Sequence, residues 1–477
     1  MTEKPLYLTT TLPYVNAKPH IGYALEVVQA DAVARAARLA GRNVFFNIGT
    51  DEHGQKIWEK AGEAGKDVQD YVDGYAAEFK TLRETLDLSF DAFIRTTDEN
   101  HIIAAQEMWR RCMAKGDIYK AEYETKYCVG CELEKTDSEL DNGKCPLHPG
   151  KDLEIRKEEN YFFKFSNYEE ALQKLWSNQE FLLPDYRLNE MRSLVKHKGL
   201  QDFSISRPAE KMPWGVPVPD DADHVMYVWF DALVNYISTL GWPEESGDYQ
   251  KFWKEGERRQ FAGKDQVRQQ AAMWQAMLLS AGLPTTDNIF IHGFINSGGQ
   301  KMSKSLGNVI DPVEVVAQYG TDALRYFLLR HIHPTEDSDW TAERFHESYM
   351  AHLVNGIGNL TNRVLKMAES YGAELGDKPE STVPYQQIVN CDFNTYLDTV
   401  WAMISHMDEF ITDEAPFKKV KTDPDAAADD VRYLLEKLFV VAKHLEPVLP
   451  ETAEKILHAI DLNHKPEQPL FPRVELE

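Results

Sequence analysis

At 477 residues the chain is longer than one hydrophobic core usually supports, so we expect two or three domains. Hydrophobic residues make up 43% of it and no run of 18 apolar residues occurs, which argues against a membrane protein. The formal net charge of −25 argues against a polyanionic partner, although a large acidic protein can still carry one basic groove. The start "MTEKPLYL" lacks the features of a secretory signal, so we expect a cytoplasmic protein.

The first 49 residues predict a strand, a helix and a second strand. Residues 6–10 form a short apolar run, apolar residues recur at steps of three and four over 25–39, and 43–49 is another apolar run. Short connections between such elements are typical of a right-handed βαβ unit with a parallel sheet.

Similar patterns return far downstream. Strand-like runs occupy 224–230, 260–263 and 288–294, and a helical pattern covers about 267–279. We therefore expect one nucleotide-binding fold in two halves, residues 1–115 and 216–325, split by an insertion over 116–215.

Helical spacing dominates the last third of the chain. Over residues 326–477 strand signals fade, and the stretch predicts a helical bundle. The expected fold class is therefore α/β: a Rossmann-type parallel-sheet catalytic domain split by an insertion, followed by an all-α C-terminal domain.

A histidine and a glycine lie where the first strand turns into the first helix, in "PHIG". In parallel sheets ligands bind beyond the carboxyl ends of strands, where helix N-termini offer free N–H groups. His20 can donate hydrogen bonds to phosphate oxygens, and Gly22 allows close approach of the backbone.

A second motif, "KMSKS" at 301–305, follows the last strand behind the glycine-containing "SGGQ". Two lysines on a flexible loop suit a polyphosphate that must be grasped and then released.

Three cysteines and a histidine in the insertion have metal-ligand spacing. "CVGC", thirteen residues and then "CPLH" supply the ligand set Cys128, Cys131, Cys145 and His148. Paired knuckles of this kind fit tetrahedral Zn²⁺, and four protein ligands leave no open position for catalysis. We expect a structural zinc site that holds a small insertion together.

"PHIG" and "KMSKS" together resemble the paired signatures of class I aminoacyl-tRNA synthetases. Longer stretches are similar to the methionyl-tRNA synthetase family: "TTTLPYVNAKPHIG", "GTDEHGQKI", "YCVGCE", "NYFFKFS", "MYVWFDALVNYIS" and "GKD". The resemblance runs from about residue 5 to 365 with specific motifs and more loosely to the end.

The resemblance implies a ligase that activates L-methionine with ATP and Mg²⁺ and transfers it from the adenylate to tRNA(Met). Such chemistry needs no covalent enzyme intermediate, so it depends on positioning and on stabilising charge. His20, Lys301 and Lys304 are the implied catalytic residues. The residues implied to bind ATP are Gly22, Tyr23, Glu26, Gly263, Asp265, Lys301, Ser303 and Lys304.

The resemblance also implies a methionine pocket in which Asp51 pairs with the substrate ammonium group. The other implied contacts are Leu12, Tyr14, Trp229, Ala232, Leu233, Tyr236 and Gln270. Tyr23 departs from the family's second signature histidine and cannot carry a positive charge near pH 7. Gln266 and Gln270 replace an aliphatic residue and a histidine.

In the helical part, the resemblance implies that Asn359, Arg363 and Phe417 read the tRNA anticodon. Phe417 stands where many relatives have tryptophan, so it can stack on a base but lacks the indole N–H. Lys418, Lys419 and Lys421 follow it and could supply local positive charge.

Other functions remain open. A class I synthetase for leucine, isoleucine or valine would carry a larger editing insertion than 116–215, and a small nucleotidyltransferase would lack the helical tail. An inactive zinc-containing RNA-binding paralogue would not need His20, Lys301 and Lys304. No dimerising domain is evident after "LFPRVELE", so we expect a monomer.

Overall fold

A computed structural model describes residues 3–135, 139–302, 307–380 and 382–476. The chain divides into two compact units. Unit 1 combines the chain up to Lys18 with Phe45–Lys80 and Phe90–Ile291, and unit 2 combines Pro19–Val44, Thr81–Ser89 and the chain from His292 onward.

The strands are short and fall mostly in the first two thirds of the chain. In order they are β1 Leu6–Thr9, β2 Val44–Thr50, β3 Ala92–Arg95, β4 Ile118–Cys128, β5 Leu133–Lys135, β6 Glu154–Phe163, β7 Leu182–Leu183, β8 Phe203–Ser204, β9 Ser206–Pro208, β10 Pro217–Val218, β11 Asp221–Met226, β12 Glu257–Gly263, β13 Asn288–His292, β14 Ile295–Ser297, β15 Gln300–Lys301 and β16 Ser338–Trp340.

The longest helices lie at the two ends of the chain. In order the helices are α1 Ile21–Leu39, α2 Gln55–Glu63, α3 Val68–Lys80, α4 Leu82–Thr85, α5 Glu99–Ala114, α6 Glu169–Leu175, α7 Tyr186–Lys198, α8 Val228–Ala232, α9 Asn235–Ser238, α10 Trp274–Ser280, α11 Pro312–Tyr319, α12 Thr321–Arg330, α13 Ala342–Ser348, α14 Asn359–Tyr371, α15 Tyr385–Val389, α16 Phe393–Glu414, α17 Pro416–Lys419, α18 Pro424–Leu445 and α19 Pro450–Asp461.

The central sheet lies in unit 1, with the strand order β3-β2-β1-β12-β13-β7 among the described residues. Strand β1 pairs in parallel with β12, β2 with β3, and β13 with β7. All four residues of β1 are buried, as expected for a parallel strand that is covered on both faces. The sheet confirms the predicted α/β fold class.

The sequence predicts one strand over 224–230, but the structure divides this stretch between a strand and a helix. Strand β11 ends at Met226, and helix α8 begins at Val228. Strand β11 joins β9 and β10 in a separate antiparallel sheet rather than the parallel one. Trp229 and Phe230 are buried, and the periodicity of a short buried run does not separate a strand from a helix.

Part of the insertion folds as an antiparallel sheet, whereas β7, which also lies within 116–215, joins the central parallel sheet. Strand β4 pairs with β6 from Ile118 opposite Phe163 to Tyr127 opposite Glu154, and β5 and β8 flank this long pair. The pair runs out to the cysteine cluster, because β4 ends at Cys128.

Unit 2 is mainly helical and contains a buried ion pair. The guanidinium of Arg325 on α12 lies 2.8 Å from the Asp31 carboxylate on α1. It also donates to the carbonyls of Leu86 and Val448 at 2.9 and 3.0 Å. Burial opposes ionisation of Asp31, but Arg325 and Arg35 lower the pKa of Asp31 below its usual value. This arginine therefore links four segments of unit 2. Loss of either Asp31 or Arg325 would leave the other charge buried and unpaired.

Among the helices of the described residues, none combines the length and apolarity needed to cross a bilayer.

Candidate active site

A buried carboxylate follows the second strand of the central sheet. Asp51 comes directly after β2 and pairs with the segment that follows β1: its N–H donates to Pro13 O at 3.0 Å, and Val15 N–H donates to its carbonyl at 3.2 Å. Strands β1 and β2 are neighbours, so this segment lies where ligands bind in parallel sheets.

The Asp51 side chain is 2% exposed, and its Oδ1 has no hydrogen-bond partner among the described residues. Burial and the nearby carboxylates of Asp231 and Glu132 raise the pKa of Asp51 well above its ordinary value. A buried carboxylate in such surroundings is costly unless a cation reaches it. The site therefore suits a ligand with a positively charged group.

Two acidic neighbours of Asp51, Glu52 and Asp231, are already paired. Glu52 accepts two hydrogen bonds from the Arg95 guanidinium, at 2.7 and 2.8 Å. Asp231 on α8 lies between two imidazoles, 2.6 Å from His53 Nδ1 and 2.7 Å from His101 Nε2. Burial opposes ionisation of Asp231, but the two imidazoles lower the pKa of Asp231 to about 2. Of Asp51, Glu52 and Asp231, Asp51 is therefore the carboxylate left available to a ligand, whereas Glu132 Oε2 also has no partner among the described residues.

The residues that pair with these carboxylates are not indicated by the sequence. Glu52 and His53 lie in the quoted "GTDEHG", and Asp231 in "YVWFDALV", but their spacing indicates no pairing. His53 and Asp231 are 178 positions apart, so only the folded chain brings them together.

Aromatic side chains lie beside Asp51. The rings of Tyr14 and Trp229 meet edge to face, with centroids 6.0 Å apart. Tyr236 lies on α9, and its carbonyl accepts from the Tyr7 hydroxyl at 2.7 Å. Ala232 and Leu233 are buried near the end of α8, whereas Leu12 is half-buried. Tyr14 thus links the Asp51 segment to a buried cluster that contains Trp229, Leu233 and Tyr236.

Gln270 contacts this aromatic group. Its Nε2 donates to the Tyr236 hydroxyl at 2.7 Å, and its Oε1 has no partner among the described residues. The residue lies in a stretch of π-helix, Gln269–Met273, where the wide turn changes the direction of side chains. Gln266, half-buried, lies one turn earlier.

Gly263 and Asp265 lie at the same edge of the sheet. Strand β12 ends at Gly263, and Lys264–Gln266 form a single tight turn after it. Since β12 runs parallel to β1, this turn and the segment after β1 leave the sheet at one edge.

In unit 2 the "PHIG" turn lies near residues 302 and 310. His20 is the N-cap of α1, where its Nδ1 accepts from Gly22 N–H at 3.1 Å. A Cβ on Gly22 would lie 3.0 Å from the His20 ring and 4.0 Å from Met302 Cε. Ile21 N–H also donates to Ile310 O at 3.0 Å. The start of α1 therefore lies close to described residues on either side of 303–306.

The remaining residues of the two motifs differ in their surroundings. Tyr23 is buried, and the Glu26 carboxylate lies 2.8 Å from His292 Nε2. Lys301 is exposed on β15, with its ammonium group 5.2 Å from the Phe294 ring centroid. Ser303 and Lys304 lie outside the described residues.

The predicted metal ligands form one cluster in unit 1. Their ligand atoms in Cys128, Cys131, Cys145 and His148 all lie within 4.8 Å of one another. His148 Nδ1 is 3.8, 3.2 and 3.9 Å from the three sulfur atoms in that order. Ligands of tetrahedral Zn²⁺ with bonds of about 2.0–2.3 Å are separated by roughly 3.5–3.8 Å, so the donor set fits that ion.

The predicted anticodon residues lie on unit 2. Asn359 and Arg363 are one turn apart on α14, and Arg363 donates to the Asp408 carboxylate on α16 at 2.7 Å. Phe417 on α17 is 47% exposed, with the Lys418 ammonium group 5.7 Å from its ring centroid. Lys419 instead pairs with Glu414 and Asp430, so it adds little positive field.

Two family models match the chain. The model of class I tRNA synthetases (M) matches residues 6–152 and 131–365. The model of the anticodon binding domain of methionyl tRNA ligase matches residues 386–470.

Curated proteins and solved structures are similar over nearly the whole chain. The methionine–tRNA ligase of Nostoc sp. is 40% identical over 483 residues, covering 95% of this chain and 89% of its own length. The chloroplastic/mitochondrial methionine–tRNA ligase of Arabidopsis thaliana is 41% identical, covering 93% of this chain and 75% of its own. A structure of Mycobacterium tuberculosis methionyl-tRNA synthetase in complex with methionyl-adenylate has a TM-score of 0.90 at 34% identity, and covers 98% of this chain and 100% of its own.

Proposed function

The chain belongs to the methionyl-tRNA synthetase family of class I aminoacyl-tRNA synthetases, and on that premise we propose that it activates L-methionine with ATP and charges tRNA(Met). The observation that carries the proposal is the buried Asp51 carboxylate, which has an oxygen without a partner among the described residues and lies beside aromatic side chains. A free amino acid with an apolar side chain has the matching chemistry: an ammonium group next to a hydrophobic tail.

Asp51 is proposed to bind the ammonium group, and the surrounding pocket to bind the thioether. Its walls are Leu12, Tyr14, Trp229, Ala232, Leu233, Tyr236 and Gln270. Sulfur contacts with aromatic edges are worth about 0.3–1.5 kcal/mol. Gln270 acts through Tyr236, because its amide already donates to that hydroxyl.

The methionine carboxylate then attacks the α-phosphorus of ATP, which enters with Mg²⁺ on its phosphates, and pyrophosphate leaves. His20, Lys301 and Lys304 are proposed to stabilise charge on the phosphates. The positive end of the α1 dipole adds to this, because no acidic residue occupies the first turn of that helix. A ribose hydroxyl of the tRNA finally attacks the adenylate carbonyl and releases AMP.

The remaining ATP contacts are proposed for the turns that follow strands. Gly263 would allow close approach of the adenosine, and Asp265 would accept from a ribose hydroxyl. The other proposed contacts are Gly22, Tyr23, Glu26 and Ser303.

We further propose that Cys128, Cys131, Cys145 and His148 hold a structural Zn²⁺. Four protein ligands complete a tetrahedral shell, so the ion would stabilise the insertion and take no part in the reaction.

Cys145→Ser is expected to remove most of the bound metal and to lower the thermal midpoint, because serine is a poor ligand for Zn²⁺. Metal analysis of the purified protein would fall from about one zinc per chain to a small fraction of that. Cys391→Ser is the control, since this buried thiol lies outside the cluster and its loss should leave the zinc content unchanged. Equal zinc in the Cys145 variant and the wild type would contradict the assignment.

The proposed anticodon contacts are Asn359, Arg363 and Phe417, with Phe417 stacking on a base. We also propose the domain division 1–115 and 216–325 for the catalytic halves, 116–215 for the insertion and 326–477 for the helical domain. We propose that the protein acts as a monomer in the cytoplasm.

Phe417→Ala is expected to raise the KM for tRNA by about tenfold or more, because stacking of one base on an aromatic side chain is worth about 1–3 kcal/mol. Methionine-dependent pyrophosphate exchange, which needs no tRNA, should be unchanged. Leu462→Ala, at another exposed apolar residue of unit 2, should leave both reactions unchanged. Equal losses in the two reactions of the Phe417 variant would contradict an anticodon role.

ATP–pyrophosphate exchange tests the proposed function against its alternatives. We expect rapid exchange with methionine and little with leucine, isoleucine or valine. Faster exchange with one of the branched amino acids would identify a different class I synthetase. No exchange with any amino acid would favour the inactive RNA-binding paralogue.

A further inference from the structure

A glutamate of the metal knuckle, the segment 128–148 that carries the four predicted zinc ligands, contacts the residues that follow Asp51. Glu132 comes directly after Cys131, and its side chain is 2% exposed. Its Oε1 accepts from Lys56 N–H at 3.1 Å, across 76 positions of sequence. Its backbone has φ of 50°, a strained conformation for a residue with a side chain, so the direction of Glu132 is maintained by its surroundings.

The contact occurs at the start of helix α2. Gly54 is the N-cap of this helix, has no side chain to cap it and is followed by no acidic residue in the first turn. Lys56 is the second helical residue, and its N–H is one of the groups that an N-cap side chain normally satisfies. The Glu132 carboxylate therefore supplies from a distant segment the cap that the helix lacks.

Gly54 is shaped to receive this carboxylate. Its φ of 112° is rarely adopted by other residues, and a Cβ at this position would lie 2.9 Å from Glu132 Oε2. Glycine thus leaves room for the glutamate where an N-cap side chain would otherwise lie.

The segment from Asp51 to Lys56 is short and held at several points. The Asp51 backbone pairs with Pro13 and Val15, and the side chains of Glu52 and His53 are held by Arg95 and Asp231. Glu132 adds a further contact, which comes from the segment that carries the predicted metal ligands. Loss of it would free the start of α2 and, through three intervening residues, the orientation of Asp51.

We propose that Glu132 is a positioning residue: carried by the metal knuckle, it caps helix α2 and holds the Asp51 segment in the conformation that binds the methionine ammonium group. The inference rests on the proposed function of Asp51. It gives the knuckle a second role, because movement of Cys131 would be transmitted directly to the amino-acid site.

The experiment combines steady-state pyrophosphate exchange with amide hydrogen–deuterium exchange on Glu132→Ala, Glu132→Gln and the wild type. Glu132→Ala is expected to raise the KM for methionine about tenfold, the range of a lost helix cap, and to change the KM for ATP by less than about twofold. The amides of residues 54–58 should exchange deuterium faster. Glu132→Gln keeps an acceptor oxygen and should remain close to the wild type.

Two controls separate this role from general damage. Asp152→Asn removes an almost fully exposed carboxylate of the same insertion and should change neither measurement. Zinc content is measured in every variant, and Glu132→Ala should retain it. If Glu132→Ala does not fold, Gly54→Ala provides the second test, since its Cβ would displace the carboxylate and should give the same methionine-specific loss.

An unchanged KM for methionine in Glu132→Ala, or equal increases for methionine and ATP, would overturn the proposal. So would a Glu132→Gln variant as impaired as Glu132→Ala. If the wild type shows no methionine-dependent exchange, the proposed function fails by itself. Faster deuterium exchange at 54–58 in Glu132→Ala would still support the cap in that case, and unchanged deuterium exchange would reject it.

Discussion

Replacing Asp51 with asparagine is expected to lower kcat/KM for methionine by about two to three orders of magnitude, while the free protein becomes more stable. Removing one partner of a buried charge pair typically costs about 2–5 kcal/mol of binding. Pyrophosphate exchange measures the loss, and thermal unfolding measures the gain.

The expected gain in stability follows from the raised pKa of Asp51. Burial and two neighbouring carboxylates raise it well above the ordinary value, so the folded chain binds this proton more tightly than the unfolded chain. Stability contributed by the group is therefore fully present below the ordinary carboxyl pKa and is lost as the pH rises through the raised value. Asparagine carries no charge and removes that loss at neutral pH.

The adjacent carboxylate provides a control of opposite sign. Glu52 is fully buried and accepts two hydrogen bonds from Arg95, so Glu52→Gln should lower the thermal midpoint. If Asp51→Asn destabilised the protein as much as Glu52→Gln and left methionine activation intact, Asp51 would be a structural residue.

Lys304→Ala is expected to reduce adenylate formation by about two to three orders of magnitude with little effect on folding. Removing one group that stabilises charge in the transition state typically lowers the rate by about this factor. Single-turnover formation of methionyl-adenylate is the direct measurement, because it separates the chemical step from product release.

A surface lysine gives the comparison. Lys60 pairs with Glu63 on the exposed side of α2, so Lys60→Ala should keep full activity. Near-normal adenylate formation in Lys304→Ala would show that this lysine is not catalytic. His20 and Lys301 would then be the residues that stabilise the negative charge on the phosphates.

Much of the fold could be predicted because its signals are local. Apolar runs with short connections predict β1, α1 and β2, and these elements begin or end within a few residues of the expected positions. The helical last third is likewise confirmed, since helices such as α16 and α18 are amphipathic throughout. The prediction over 224–230 was wrong because a short buried apolar run fits a strand and a helix equally well.

The arrangement around Asp51 could not be predicted from the sequence. A motif indicates that Asp51 is special, but its availability depends on Glu52 and Asp231 being occupied by Arg95 and the two imidazoles. These pairs join residues 43 to 178 positions apart, and neither periodicity nor spacing carries information about such contacts. The roles of the individual site residues stay predictions.

A crystal structure with a non-hydrolysable methionyl-adenylate mimic tests the central claim most directly. We expect the ammonium group of the mimic within hydrogen-bond distance of Asp51 Oδ1 and its thioether against Trp229 and Tyr236. A mimic bound with its ammonium group away from Asp51, or no binding at saturating concentration, would contradict the account.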